Sequence, residues 1–372
     1  MTARVGACPA DPPPLARVAP QAVTVLGTGS ALPGPAVTSE ALIDRMEHTF
    51  GVRKGRLARE LSRRIGVASR HVVRDFAIRR EAPRPGNRNP DLAAAALGQA
   101  LERAGMRIDD LGYVLAHTAT PARPLPTNAS EVAAGLDYRV PYAEFRQACT
   151  GFATALQFAS ALLADPDAPP VAIVGSETGS VYFDPMRLQG DHAQWVNLLQ
   201  MGDGAGAIVL GPARPDTVTL HSPFIGQFGA RSSGLHQAGG GPDQPWVDSH
   251  VLGLEYDYRG VAEHGPPLLD AGSAVLESRG ERLDTVRKVV PHQANGRMAE
   301  WLRQRWQVLP AQCFGNGRDV GNLGSASIWV ALDALLQSKQ LVPGDRAWFL
   351  GAEATQYTFG GFVLHDARRS AG

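Results

Sequence analysis

Short apolar runs alternate along the chain with longer stretches in which apolar residues recur every three to four positions. The runs "AVTVLG" (22–27), "YVLAH" (113–117), "VAIVG" (171–175), "GAIVL" (206–210), "RKVVP" (287–291), "AWFLG" (347–351) and "FVLH" (362–365) predict strands. Runs of this length, apolar at nearly every position, suit strands covered on both faces. The longer stretches predict helices over 91–104, 150–164, 296–306 and 325–338, with a charged helix near 52–65. Strand and helix alternate, which predicts an α/β architecture.

The pattern occurs twice. "VAIVGSET" (171–178) resembles "AWFLGAEA" (347–354), and each is followed by a loop and then by "GAGAIVL" (204–210) or "FGGFVLH" (359–365). Upstream, "CTGFATALQFASALL" (149–163) resembles "NLGSASIWVALDALL" (322–336), and "YVLAH" ending at His117 resembles "KVVPH" ending at His292. Three pieces in the same order predict two similar halves, 22–215 and 216–372, joined near the linker-like "GPARPDT", after a flexible N-terminal tail over 1–21. A pseudo-twofold axis would make Cys149 and Asn322 equivalent helix starts.

Composition narrows the class. The 372 residues are 44% hydrophobic and 19% charged, so a large core is expected, and 36 basic residues balance 36 acidic ones. That balance gives no reason to expect nucleic-acid or membrane partners, and no apolar stretch is long enough to span a bilayer. The N-terminus lacks the basic-then-apolar pattern of a secretory signal. Three cysteines, Cys8, Cys149 and Cys313, are too few and too scattered for a disulfide framework or a metal site. A cytoplasmic protein is the expectation.

Of the three, Cys149 has the most suggestive surroundings. "YAEFRQA" fits a strand running into the helix, so the thiol lies at a strand-to-helix turn. A helix start carries unpaired N–H groups and partial positive charge, which lower a thiol's pKa and can hold an oxyanion. The local pattern alone leaves a nucleophile and a small core residue equally open. His292 follows a strand in "VVPHQANGR", a position open to chemistry, although a solvated loop histidine has the same signature. Asn322 in "DVGNLGSAS" reads alone as a helix N-cap. The duplication changes that weighing: if the halves pack face to face, Cys149, His292 and Asn322 form one constellation of nucleophile, proton handler and amide donor. The glycine-rich "GTGSALPG" (27–34) and "GDGAGA" (202–207) have the wrong spacing or order for phosphate loops and predict tight backbone packing. The basic run "RKGRLARELSRR" (53–64) fits a solvated helix face or a contact with carrier phosphates.

Together these motifs resemble the β-ketoacyl-acyl carrier protein synthase III family of the thiolase-fold superfamily. "ACTGF" resembles its nucleophile motif, "VPHQANGR" its histidine motif and "GNLGSAS" its asparagine motif, over roughly residues 22–366. The resemblance implies a five-layered αβαβα fold of two similar halves and a homodimer. It implies that Cys149 takes an acyl group from coenzyme A or an acyl carrier protein, with no tightly bound cofactor. His292 and Asn322 would then hold the enolate formed as malonyl-acyl carrier protein loses CO2. Thr355, Phe152, Arg64 and Asn295 are further candidates for oxyanion or substrate contacts, Phe152 equally a core residue.

Departures from the family pattern accompany these matches. Ala354-Thr355-Gln356 replaces a run of glycines before "YTFG", Glu60 stands near the place of the family's adenine-stacking tryptophan, and 79–90 and 182–200 read as added loop and altered lid. They imply a divergent, specialised member that favours a carrier-protein donor. They also keep open a non-decarboxylating acyltransferase acting on a hydroxyl or amine, and an inactive partner subunit of another ketosynthase.

Overall fold

The computed structural model describes residues 15–79, 84–139, 141–228, 233–237, 239 and 254–369. Nine strands form one path, in the order Lys288–Pro291, Arg346–Glu353, Thr358–Asp366, Val218–Gln227, Val23–Ala31, Gly204–Pro212, Val171–Glu177, Tyr113–His117, Tyr142–Phe145. The path is two sheets joined at their edges. Val23 and Thr24, in the first strand of one half, pair antiparallel with Leu220 and Thr219, in the first strand of the other. From that junction outward the halves repeat. Each first strand is followed by an antiparallel last strand, then an antiparallel penultimate one, then a parallel one. The Val289–Cys313 bridge stands where Tyr113–His117 pairs with Tyr142–Phe145 in the first half.

The layers follow from which faces are apolar. Helices Gly151–Leu162 and Ser327–Gln337 share a core with inward residues of both sheets, including Ile173, Ile208, Phe349 and Phe362. On the outer face of the first sheet, Asn89–Ala104 and Asn128–Gly135 bury Leu92, Ala96, Leu97 and Val132. On the outer face of the second, Tyr258–Ser278 and Met298–Trp306 bury Leu268, Leu276 and Leu302. Five layers, αβαβα, result.

The glycines of the two rich loops serve close packing. A Cβ on Gly27 or Gly29 would lie 2.2 Å from the carbonyl oxygens of Ala100 or Ala96 in the helix above, and one on Gly206 would lie 2.6 Å from Trp329 Cβ.

Residues 182–200, read as altered lid or pocket material, contain the helix His192–Gln200, whose Trp195, Leu198 and Leu199 are buried against Leu42, Ile43 and Met46. Two expectations change. Leu15–Val18, inside the segment expected to be a flexible tail, is a strand paired antiparallel with Phe224–Gln227. Asn89 and Pro90, at the end of the segment read as an added loop, open the helix Asn89–Ala104. Residues 80–83 and Cys8 lie outside the described residues.

Candidate active site

The site is assembled from turns at the ends of strands. Cys149 lies between strand Tyr142–Phe145 and helix Gly151–Leu162. His292 directly follows strand Lys288–Pro291, and its N–H donates to the Leu350 carbonyl on the neighbouring strand at 2.6 Å. The next residue there, Gly351, backs onto the nucleophile turn: a Cβ on Gly351 would lie 3.4 Å from the Cys149 carbonyl oxygen. Asn322 opens the turn before helix Ser327–Gln337. Its N–H donates to the Gln200 carbonyl at 2.7 Å, and its own carbonyl accepts from the Gly202 N–H at 3.0 Å. Ser325 in the same turn reaches across the halves, its hydroxyl donating to the Gln147 carbonyl at 3.3 Å. Strand Arg346–Glu353 therefore links the His292 turn, bonded to Leu350, to the Cys149 turn, which closes on Gly351, and Ser325 ties the Asn322 turn to the Cys149 turn.

Each side chain has a defined chemical state. The Asn322 Oδ1 accepts from the Gly324 N–H at 3.0 Å and from the Ser327 hydroxyl at 3.4 Å, which leaves its NH2 end as the donor available to a ligand. His292 is buried, its Nδ1 has no protein partner, and burial pushes its pKa down to about 4. Its imidazole is neutral at physiological pH. His117, the counterpart of His292 in the first half, is fully buried and held near pKa 3 by burial. Its Nε2 accepts from the Trp329 indole at 2.9 Å, so its proton is on Nδ1.

The thiol differs from expectation. A helix start was expected to lower the Cys149 pKa. Burial, then the charges of Glu353 and Glu177, push it well above the ordinary thiol value. The helix-start amides are engaged elsewhere: the N–H groups of Ala148 and Thr150 donate to Glu353 at 3.3 and 2.8 Å. The Thr150 hydroxyl donates to the same carboxylate at 2.7 Å, and the Thr355 hydroxyl donates to it as well. The N–H of Cys149 itself faces its sulfur.

The other candidates separate. Thr355 is half-buried with its hydroxyl on Glu353. Phe152 is fully buried and stacks edge-on against Trp329 and Phe362, which makes it a core residue. The Asn295 Oδ1 accepts from the Arg297 N–H at 2.8 Å, closing its own turn. Arg64 lies on the helix Gly55–Ile65 and pairs with Glu60 at 3.0 Å. On the same helix, Arg59 is matched by Glu40, Asp44 and Glu47, while Arg53, Lys54, Arg56, Leu57 and Glu60 line an open cavity of about 460 Å³. Among the described residues no cluster of three or more His, Cys, Asp or Glu side chains could hold a metal, and no helix is long and apolar enough to cross a membrane.

Sequence reasoning missed Glu353. The available signal was the duplication, since aligning "VAIVGSE" with "AWFLGAE" sets Glu353 opposite Glu177, another buried carboxylate at a strand end.

This arrangement of two similar halves, with their central helices packed between two sheets, is that of the thiolase-fold condensing enzymes. Residues 143–225 match the family 3-oxoacyl-(acyl-carrier-protein) synthase III, and residues 276–365 match its C-terminal part. β-Ketoacyl-(acyl-carrier-protein) synthase III 3 of Streptomyces coelicolor is 30% identical over 88% of this chain and 92% of its own. Among solved structures, AbyA1, a tetronic acid condensing enzyme, superposes with a TM-score of 0.78 at 28% identity over 92% of this chain and 99% of its own. The synthase III of Pseudomonas aeruginosa superposes with a TM-score of 0.74 at 25% identity over 93% and 98%. The chain belongs to the β-ketoacyl-(acyl-carrier-protein) synthase III family.

Proposed function

We propose that this protein condenses acyl thioesters through an acyl-Cys149 intermediate. The observation that carries the reading is a buried, neutral His292 and an Asn322 amide with its NH2 end open, on turns linked to the Cys149 turn through strand Arg346–Glu353 and through Ser325. In the first half-reaction the Cys149 sulfur attacks a thioester carbonyl, and the carrier's thiol leaves with the proton. The Cys149 N–H is a donor for the tetrahedral oxyanion. In the second, a malonyl thioester on an acyl carrier protein loses CO2. The electron pair left behind forms an enolate, and its oxygen accepts hydrogen bonds from His292 and Asn322. The enolate carbon attacks the acyl-cysteine carbonyl, the Cys149 sulfur leaves, and a β-ketoacyl thioester results. Neutral donors suit the enolate because they stabilise its charge without having to give up a proton. In this reading Cys149, His292 and Asn322 are the catalytic residues, and no tightly bound cofactor takes part.

The donor and acceptor enter through carrier arms, from an acyl carrier protein or coenzyme A, past the basic rim at Arg53, Lys54 and Arg56. The crowded Ala354-Thr355-Gln356 loop supports a specialised pathway over housekeeping fatty-acid initiation. The same loop favours a second reading, transfer of the acyl group to a hydroxyl or amine without loss of CO2. The working unit is a homodimer. Tyr142–Phe145 ends the strand path, and Tyr142, Phe158 and Leu162 are exposed beside that edge. A bare apolar edge of this kind needs a cover, and a second copy of the chain is the proposed one.

Acyl transfer from a panel of acyl-coenzyme A and acyl-carrier protein donors, followed by a CO2 assay with malonyl-carrier protein, tests the reading. Acylation with CO2 release supports condensation. Acylation with transfer to an alcohol or amine and no CO2 supports the second reading.

A further inference from the structure

The two halves hold each other's helix starts through a matched pair of carboxylates. Glu177 and Glu353 end equivalent strands, Val171–Glu177 and Arg346–Glu353. Glu177 belongs to the first half but accepts from the Ser325 hydroxyl in the Asn322 turn of the second. Its other donors are the Ala119 N–H at 2.8 Å and the Thr120 hydroxyl at 2.7 Å. Glu353 belongs to the second half and accepts from the Cys149 turn of the first, gripping the peptides on both sides of the nucleophile. Both carboxylates are buried.

We infer that Glu353 is a positioning residue for acyl transfer to Cys149: by gripping the amides of Ala148 and Thr150 it fixes the direction of the one amide it leaves free, that of Cys149. A peptide flanked by two fixed neighbours has little freedom to turn. Its N–H is therefore preorganised for the oxyanion before any substrate arrives. The inference rests on the reading of Cys149 as nucleophile. With four donors on its two oxygens, Glu353 is a strong anchor. The Thr355 hydroxyl is one of those four, so the residue that replaces a glycine of the family pattern secures the anchor.

The grip has a second consequence. Burial first, and then the charge of Glu353 near the sulfur, hold Cys149 as a thiol. The other ionisable groups around the sulfur reinforce or leave that state. Glu177 also opposes ionisation of the thiol, Tyr256 on strand Leu254–Tyr256 is a half-buried phenol whose pKa is pushed up, by burial first, and His292 and His117 are neutral.

Two variants separate grip from charge. Glu353→Gln removes the charge and sets an NH2 group against the N–H donors. Glu353→Asp keeps the charge on a shorter arm. The readouts are the pH midpoint of Cys149 alkylation by iodoacetamide and the single-turnover rate of acylation by acetyl-, hexanoyl- and decanoyl-coenzyme A and the same chains on carrier protein. Folding is checked by thermal melting. Glu353→Gln is expected to lower the alkylation midpoint by about one pH unit and to slow acylation at least tenfold. Glu353→Asp is expected to slow acylation with the midpoint still high. Acylation within twofold of wild type in either folded variant overturns the inference. So does an unmoved midpoint in Glu353→Gln. Where Glu353→Gln melts below the assay temperature, the acylation rate of Glu353→Asp decides alone. Should wild-type Cys149 alkylate normally yet take no acyl group from any donor, it is the condensing reading that fails, and the alkylation midpoints still test the charge of Glu353.

Discussion

The indole N–H of Trp329 donates to Nε2 of His117 at 2.9 Å, across the interface between the two halves. Trp329 is in the helix that follows Asn322, and His117 ends the strand beneath the Cys149 turn, where a Cβ on Gly151 would lie 2.4 Å from His117 Nδ1. The pair sets the spacing of the two helix starts. Trp329→Phe keeps the aromatic packing against Phe152 and Phe362 but leaves a fully buried ring nitrogen without its donor. The expected cost is about 1–3 kcal/mol, read as a lower urea midpoint at unchanged slope.

Gly351 should tolerate no side chain. A Cβ there would meet Phe152 Cε1 at 2.5 Å and the Cys149 carbonyl oxygen at 3.4 Å. Phe152 is locked between Trp329 and Phe362, so the nucleophile turn must give way. Gly351→Ala is expected to lower stability by about 1–3 kcal/mol and to slow Cys149 acylation more than tenfold at a temperature where the variant is folded, measured by intact mass against time.

The pH profile of condensation separates the donors from the nucleophile. His292 is held near pKa 4, below its ordinary 6.5, so it stays neutral as pH falls through the range where a free histidine would gain charge. CO2 release from malonyl-carrier protein by pre-acylated protein should therefore be flat from pH 7 to pH 5, with loss only toward pH 4. The linkage to stability has the same sign. The unfolded chain binds a proton at His292 and His117 below about pH 6.5 that the folded chain refuses until about pH 4 and pH 3, so their contribution to stability is complete above 6.5 and is lost as pH falls through that window. Asp203, raised to about 6 by burial, acts oppositely. A steady-state melt from pH 7 to 5 then shows a shallower slope than in Asp203→Asn.

At the sheet edge, Phe158 stacks on Phe145 with ring centroids 5.0 Å apart while remaining exposed. Phe158→Asp places a charge in the proposed dimer contact and leaves the core untouched. Light scattering is expected to give twice the chain mass for wild type and the monomer mass for the variant. A monomeric wild type at micromolar concentration would contradict the dimer.

Much of this fold was legible because its strands are buried on both faces. "YVLAH" is a strand over 113–117 as read, and the other runs differ only at their ends. The opening of the second half was not legible. Strand Val218–Gln227 carries Ser222 and Pro223 within its run, and helix Tyr258–Ser278 contains Pro266 and Pro267, so neither shows an unbroken period. Both are held by long-range packing on Phe224 and Leu350 that local pattern does not record. The candidate triad could be proposed from the sequence only through the duplication, since Asn322 read alone suggests a helix cap, whereas helix Ser327–Gln337 has Ala326 at its cap. Glu353 was hidden because replacement of the glycines dominates that loop. Only the three-dimensional path shows the carboxylate turning back to the Cys149 amides.

The account stands most directly on where the acyl group goes. Wild type, Cys149→Ala and Asn322→Ala are each incubated with the acyl-coenzyme A and acyl-carrier protein panel and weighed intact, and malonyl-carrier protein is then added. The expected result is one acyl group on wild type and on Asn322→Ala, none on Cys149→Ala, and CO2 release that falls about 10²–10³-fold in Asn322→Ala. Acylation that survives in Cys149→Ala, or CO2 release at the wild-type rate in Asn322→Ala, would contradict it.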